Sequence, residues 1–213
     1  MPSRVRIALA LALLLLGLPR VSSASTLFIA NLTTSQEPGS IVPITNPGGL
    51  PRPTPFGTAF FVLNDAGTAL TFTATIFNID VNGLQTPNDS NDNLTAAHIH
   101  AGANVPPATN GVVWGFFGAP FNDNNPNDFS FTPFAGGVGG IFTGKWDAPE
   151  GNGTTLAAQL PNIFAGRAYI NFHTNQNPGG EIRGAIVATP EPATLTLLGL
   201  GLAGLAARRR RAR

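Results

Sequence analysis

The sequence predicts an all-β fold, an antiparallel β-sandwich or barrel-like domain, with an N-terminal signal helix before it and a short C-terminal hydrophobic helix after it. Three observations lead there. Between residues 25 and 189 apolar and polar residues alternate in short segments, the period of a strand with one buried face. Clusters of Gly, Pro, Asn and Asp separate those segments, and the chain has 25 glycines and 19 prolines to make the turns. No stretch inside the domain keeps a helical period through three turns.

Taken in order, residues 1–24 read as a signal peptide. Arg4 and Arg6 precede an apolar run over 7–18, and Ser22, Ser23 and Ala24 supply the small residues of a cleavage site, expected after Ala24. That run makes ~18 Å of helix, too short for the ~30 Å hydrocarbon layer of a bilayer. Residues 26–32 form a first strand. Over 35–55, Pro38, Pro43, Pro47, Pro51, Pro53 and Pro55 forbid helix and central strand alike, which leaves an extended connection. Residues 58–63 and 69–79 form a hairpin around Asn64, Asp65, Ala66 and Gly67, with Leu70, Phe72, Ala74 and Ile76 facing the core and Thr71, Thr73 and Thr75 facing water. Residues 112–117, 129–131, 141–146 and 156–158 add short strand or irregular segments. Residues 167–174 and 181–187 close the domain as a hairpin with its loop at 175–180.

The Asn- and Asp-rich loops over 85–93 and 121–128 lack EF-hand spacing and read as Asx turns at exposed tips, with a calcium-dependent adhesion role the weaker alternative. The glycine run over 136–140 lacks the helix and lysine of a phosphate loop. Charge narrows the classes further. Eight of the 12 basic residues lie in the terminal segments, so residues 25–189 carry four basic against ten acidic side chains. With no basic stripe to neutralise phosphates, a nucleic-acid partner is excluded. There is no cysteine, so no disulfide contributes and stability comes from burial in a core of ordinary domain size.

At the C-terminus, Pro190, Glu191 and Pro192 precede an apolar segment over 193–207 and the cluster Arg208, Arg209, Arg210 and Arg211. As a helix the apolar segment is ~22 Å long, near what a bilayer tolerates by thinning and by snorkelling arginines, so a transmembrane helix with cytoplasmic arginines is expected. Pro-Glu-Pro, apolar helix and terminal arginines resemble the PEP-CTERM sorting signal of Gram-negative bacteria. That resemblance implies signal peptidase and an exosortase-type processing enzyme as partners and an inner-membrane intermediate. It also implies release to the cell surface or extracellular matrix, where exopolysaccharide is a further candidate partner.

All three histidines fall in two segments, Ala97 to Gly102 and Tyr169 to Thr174, the second followed by Asn177 to Gly184. Strand alternation puts His98 and His100 on one face, Arg167, Tyr169, Asn171 and His173 on one face, and Glu181 with Arg183, all off the apolar core. Two imidazoles at i and i+2 with a third on another strand suit a zinc or copper ion, so His98, His100 and His173 are candidate metal ligands with Glu181 and Asn171 behind them. A purely hydrogen-bonded cluster that pins the strands together fits the same spacing. Asn177, Pro178, Gly179 and Gly180 set a tight turn expected to bring Glu181 and Arg183 beside His173.

These segments, Ala-His-Ile-His-Ala-Gly, the run from Ala165 to Thr174 and Asn-Pro-Gly-Gly-Glu-Ile-Arg-Gly, resemble the CHRD domain first described in chordin. Ala30 to Pro38 fits its opening, so the resemblance spans nearly all of 25–188; the proline-rich stretch after Glu37 and the segment around 121–128 depart from it. The family resemblance implies the fold and no agreed activity. Cu/Zn superoxide dismutase shares only the His-x-His tripeptide. No catalytic motif is present: there is no Gly-x-Ser-x-Gly, HExxH or cysteine nucleophile. The favoured reading is a non-enzymatic surface or matrix domain acting by binding or structural assembly. The alternative is a metal-dependent periplasmic or surface enzyme with Glu181 as acid or base.

Overall fold

A computed structural model describes residues 25–39, 43–189 and 192–211. The expected signal helix with its cleavage point at Ala24, and Pro190 and Glu191 of the sorting segment, lie outside the described residues. Ten strands form one antiparallel sheet that curls into a half-barrel: β1 (Thr26–Thr33), β2 (Phe56–Leu63), β3 (Ala69–Phe77), β4 (Leu94–Ala101), β5 (Val112–Phe117), β6 (Ser130–Pro133), β7 (Gly139–Asp147), β8 (Ala168–Thr174), β9 (Ile182–Ala185) and β10 (Val187–Ala188). Their order is β5-β4-β8-β9-β1-β2-β3-β7-β6, with β10 also beside β1.

The curl brings the two ends together. Phe117 of β5 meets Phe131 of β6 at 6.1 Å between ring centroids, and Phe129 bridges to Phe116 and Phe142. Inside, Leu70, Phe72, Ala74 and Ile76 are buried as alternation requires, while Thr71 and Thr73 on the opposite face are exposed. Phe72 packs on Trp114 and Phe116 from β5, Phe142 on Phe172 from β8, and Trp114 stacks on Trp146 at 5.8 Å. Both indole N–H groups end on Glu150, one on its carboxylate and one on its carbonyl. Each fully buried aromatic of this set contributes roughly 1.5–3 kcal/mol.

Residues 156–158, expected as strand or irregular, open a helix instead. This helix, α1 (Leu156–Phe164), is capped by Thr155, whose hydroxyl accepts from the Ala158 N–H, and it buries Leu156 and Ile163. Pro161 inside it and its length of 9 residues hide the helical period. The Asn/Asp loops also differ from exposed tips. Asp92 and Asp123 are buried, and burial pushes the carboxyl of each up to about 6. Asp123 accepts from the Asp128 N–H, and Glu150 gathers the N–H groups of Asn124, Asn125 and Asp147. The C-terminal helix, α2 (Pro192–Arg211), exists as expected, with Arg208 and Arg209 exposed. Among the described residues, no helix is long and apolar enough to cross a membrane.

The proline-rich stretch folds against the 175–181 turn. Gln176 donates to the Pro43 carbonyl and accepts from the Thr45 N–H, and Arg52 reaches the Gln176 and Glu181 side chains at 3.2 and 2.5 Å. Both members of the Arg52–Glu181 pair are sealed from water, with side-chain exposures of 6% and 0%. Removing one member of such a pair strands the other charge. Arg52→Ala is expected to lower the unfolding free energy by about 3–5 kcal/mol in denaturant titrations, with part of the loss restored by adding Glu181→Gln. A loss below about 1 kcal/mol would mean that water reaches Glu181.

Candidate metal centre

Strands β4, β8 and β9 present Ala97, Ile99, Ala101, Ile170, Phe172 and Ile182 to the core, and their other face carries the polar set. Register places His98 opposite Asn171, His100 opposite Tyr169, and Asn171 opposite Arg183. His98, His100, Asn171, His173, Glu181 and Arg183 therefore lie off the apolar core, yet all six are buried. The second face is covered by loops rather than wetted. Arg167 differs: it precedes β8 and is exposed.

Each cover supplies a carbonyl to one imidazole. His98 Nε2 meets the Ala119 carbonyl, His100 Nδ1 the Asn110 carbonyl and His173 Nδ1 the Pro178 carbonyl, each at 3.0 Å. A carbonyl only accepts, so these three nitrogens carry the protons. The nitrogens left with lone pairs are His98 Nδ1, His100 Nε2 and His173 Nε2. His98 Nδ1 and His173 Nε2 stand 3.2 Å apart, and one ligand nitrogen from each ring lies within 4.8 Å of those of the other two. His100 Nε2 is buried with no hydrogen-bond partner among the described residues.

Local sequence explains the covers. On β5, a Cβ at Gly115 would lie 1.8 Å from the Pro120 carbonyl oxygen, so only glycine lets the 118–122 loop fold back and deliver Ala119 to His98. Asn122 locks that fold by two bonds to Gly115. Over His100, the Asn110 amide ties Asn104 and Arg167 together, and Asn110 exchanges two bonds with the Tyr169 hydroxyl. Tyr169 in turn stacks on His100 at 4.7 Å, with the Arg183 guanidinium 4.2 Å from its ring centroid.

Burial pushes His98 down to about 4, with His173 close by adding to the effect. It pushes His100 down to about 4 as well, and it lowers His173. The trio is thus neutral at pH 7, the state in which imidazole binds metal.

The groups expected behind the histidines divide. Glu181 does not serve them: it binds Arg52 and the Thr174 hydroxyl and makes no bond to a histidine. The 178–180 turn aims Glu181 away and gives His173 the Pro178 carbonyl instead. Arg183 turns to Glu37, at 2.7 and 2.9 Å, and to the Pro107 carbonyl. Asn171 stays on the site, with neither side-chain atom partnered among the described residues. The carbonyls of Ala119 and Asn110 reach the histidines, and Glu37 reaches Arg183, without a sequence signal of their own, because each arrives from a loop outside the strands that carry its partner.

The site is a buried three-histidine centre on a curled antiparallel sheet. The profile of the CHRD domain matches residues 28–186, and the profile of the PEP-CTERM protein-sorting motif matches residues 188–211. The chain belongs to the CHRD domain family, and its C-terminal motif marks it for export to the cell surface or beyond. Searches of curated proteins and of solved structures give no match.

The carbonyl partners make a spectroscopic prediction. In metal-free protein at pH 7, long-range 1H–15N spectra should show His100 and His173 protonated at Nδ1 and His98 at Nε2. A His100 ring protonated mainly at Nε2 would contradict the assignment. Gly115→Ala should cost about 1–3 kcal/mol in thermal or chemical unfolding, because the Pro120 backbone has to move.

Proposed function

We propose that this exported CHRD protein holds one transition-metal ion, zinc or copper, between His98, His100 and His173. It acts without catalysis at the cell surface or in the extracellular polysaccharide matrix, by binding or structural assembly. The observation behind the metal is that one ligand nitrogen from each of the three rings lies within 4.8 Å of the other two, while a backbone carbonyl accepts a hydrogen bond from each ring. Metal–nitrogen bonds of ~2.0–2.1 Å put two tetrahedral ligand nitrogens ~3.4 Å apart. The His98–His173 separation of 3.2 Å already approaches that. A hydrogen-bonded trio fits less well, because acceptors there face acceptors.

Residues 1–24 serve as the signal peptide, 25–189 as the working domain and 190–213 as the sorting segment, with Pro190, Glu191, Pro192 and the arginines read by an exosortase. The chain passes through an inner-membrane stage before its release. Exopolysaccharide fits the location as a partner. The alternative, a metal-dependent enzyme, draws on the three histidine ligands found among the described residues, the ligand number of catalytic zinc sites.

Elemental analysis of the secreted protein should find one zinc or copper per chain, lost in His100→Ala, and chelation should lower the melting temperature. Absence of stoichiometric metal after incubation with zinc and with copper would end this reading. Cells making a chain that stops at Thr189 should fail to release the processed form; unchanged distribution and mature mass would count against exosortase processing.

A further inference from the structure

We propose that the metal ion of this centre takes its remaining ligand from solvent, a water, hydroxide or small anion, and that Asn171 and Glu37 line the position it occupies. This rests on the three histidines binding a metal. Among the described residues, no aspartate, glutamate or cysteine joins the three rings as a fourth ligand, so coordination is incomplete from the protein side.

Asn171 is fully buried, directly opposite His98 and two residues from His173 on the same strand face. Neither its Oδ1 nor its Nδ2 has a partner among the described residues. Glu37 is in the same condition at one oxygen: Oε2 is held by Arg183, while Oε1 is buried and unpartnered. Gly180 shows that these groups border one place. A Cβ built there would lie 2.6 Å from Asn171 Nδ2, 2.8 Å from Asn171 Oδ1 and 2.6 Å from Glu37 Oε1. Glycine at 180 thus lets the turn pack against the amide and the carboxylate where any side chain would collide with both, and its φ of +128° suits no other residue.

Folded proteins seldom bury polar atoms in this state unless water or a ligand meets them. The four unpartnered atoms, His100 Nε2, Asn171 Oδ1 and Nδ2, and Glu37 Oε1, match what a metal-bound water needs. The metal takes its oxygen, the amide donates to or accepts from it, and the carboxylate accepts its proton in a hydrogen bond. The carboxylate of this centre is then Glu37. A position of this kind exchanges its ligand, so the centre binds small anions from outside.

The test loads the full chain with cobalt(II) and titrates azide while recording the visible spectrum. The wild-type protein should take up one cobalt per chain and show a saturable azide-dependent band change. Asn171→Ala should weaken azide about tenfold by removing its hydrogen bond. Glu37→Gln should strengthen it severalfold, because a buried negative charge no longer faces the anion; simple loosening of the site would weaken azide in both variants. One bound cobalt with a spectrum indifferent to azide, or azide affinity unchanged in both variants, would overturn the proposal. Failure to bind cobalt at all would overturn the underlying metal reading instead.

Discussion

Three hydrogen bonds from imidazole N–H groups to backbone carbonyls govern the polar half of this domain. Each carbonyl belongs to a different loop, before β5, after β5 and between β8 and β9, and each fixes which nitrogen of its ring keeps a lone pair. Without them the rings would be free to donate to one another and the cluster would be an ordinary polar patch. With them the loops must sit where they do, which is why Gly115 and Asn110 are as much part of the site as the histidines.

The sheet therefore has two interiors. One is the aromatic core, whose burial stabilises the fold without directional demands. The other, under the loops over β4, β8 and β9, is polar, and there every group has to find a partner or cost stability. Two buried ion pairs complete it: Arg52 of the proline-rich stretch neutralises Glu181, and Glu37 neutralises Arg183. Burial raises the Glu37 carboxyl from its ordinary value, and the Arg183 bonds offset that only in part. The proline-rich stretch thus supplies the counter-charge for a residue of the family's signature segment.

The reading of strands and faces from alternation succeeded where the chain is regular. Strand β5 has its expected bounds, the β2–β3 hairpin its expected turn, and His98 and His100 the expected common face. It failed at α1, where nine residues with an internal proline carry too short a period to be recognised, and at the acidic loops, where Asp92 and Asp123 turn inward. Glu181 and Arg183 illustrate the limit for the site. Alternation correctly put both on the polar face, but which cation or anion each meets depends on Arg52 and Glu37, 129 and 146 residues away.

By itself the sequence determined the all-β class, the C-terminal sorting motif, the family and the three histidines, because these depend on residue type and on spacing within a few positions. Only the tertiary structure decided that one ligand nitrogen from each of the three histidines comes within 4.8 Å of the others, that the polar face is buried, and that Glu181 pairs with Arg52 while Arg183 pairs with Glu37. Those facts depend on loop carbonyls and on side chains brought together across the sheet, and no local pattern encodes a partner that arrives from the far end of the chain.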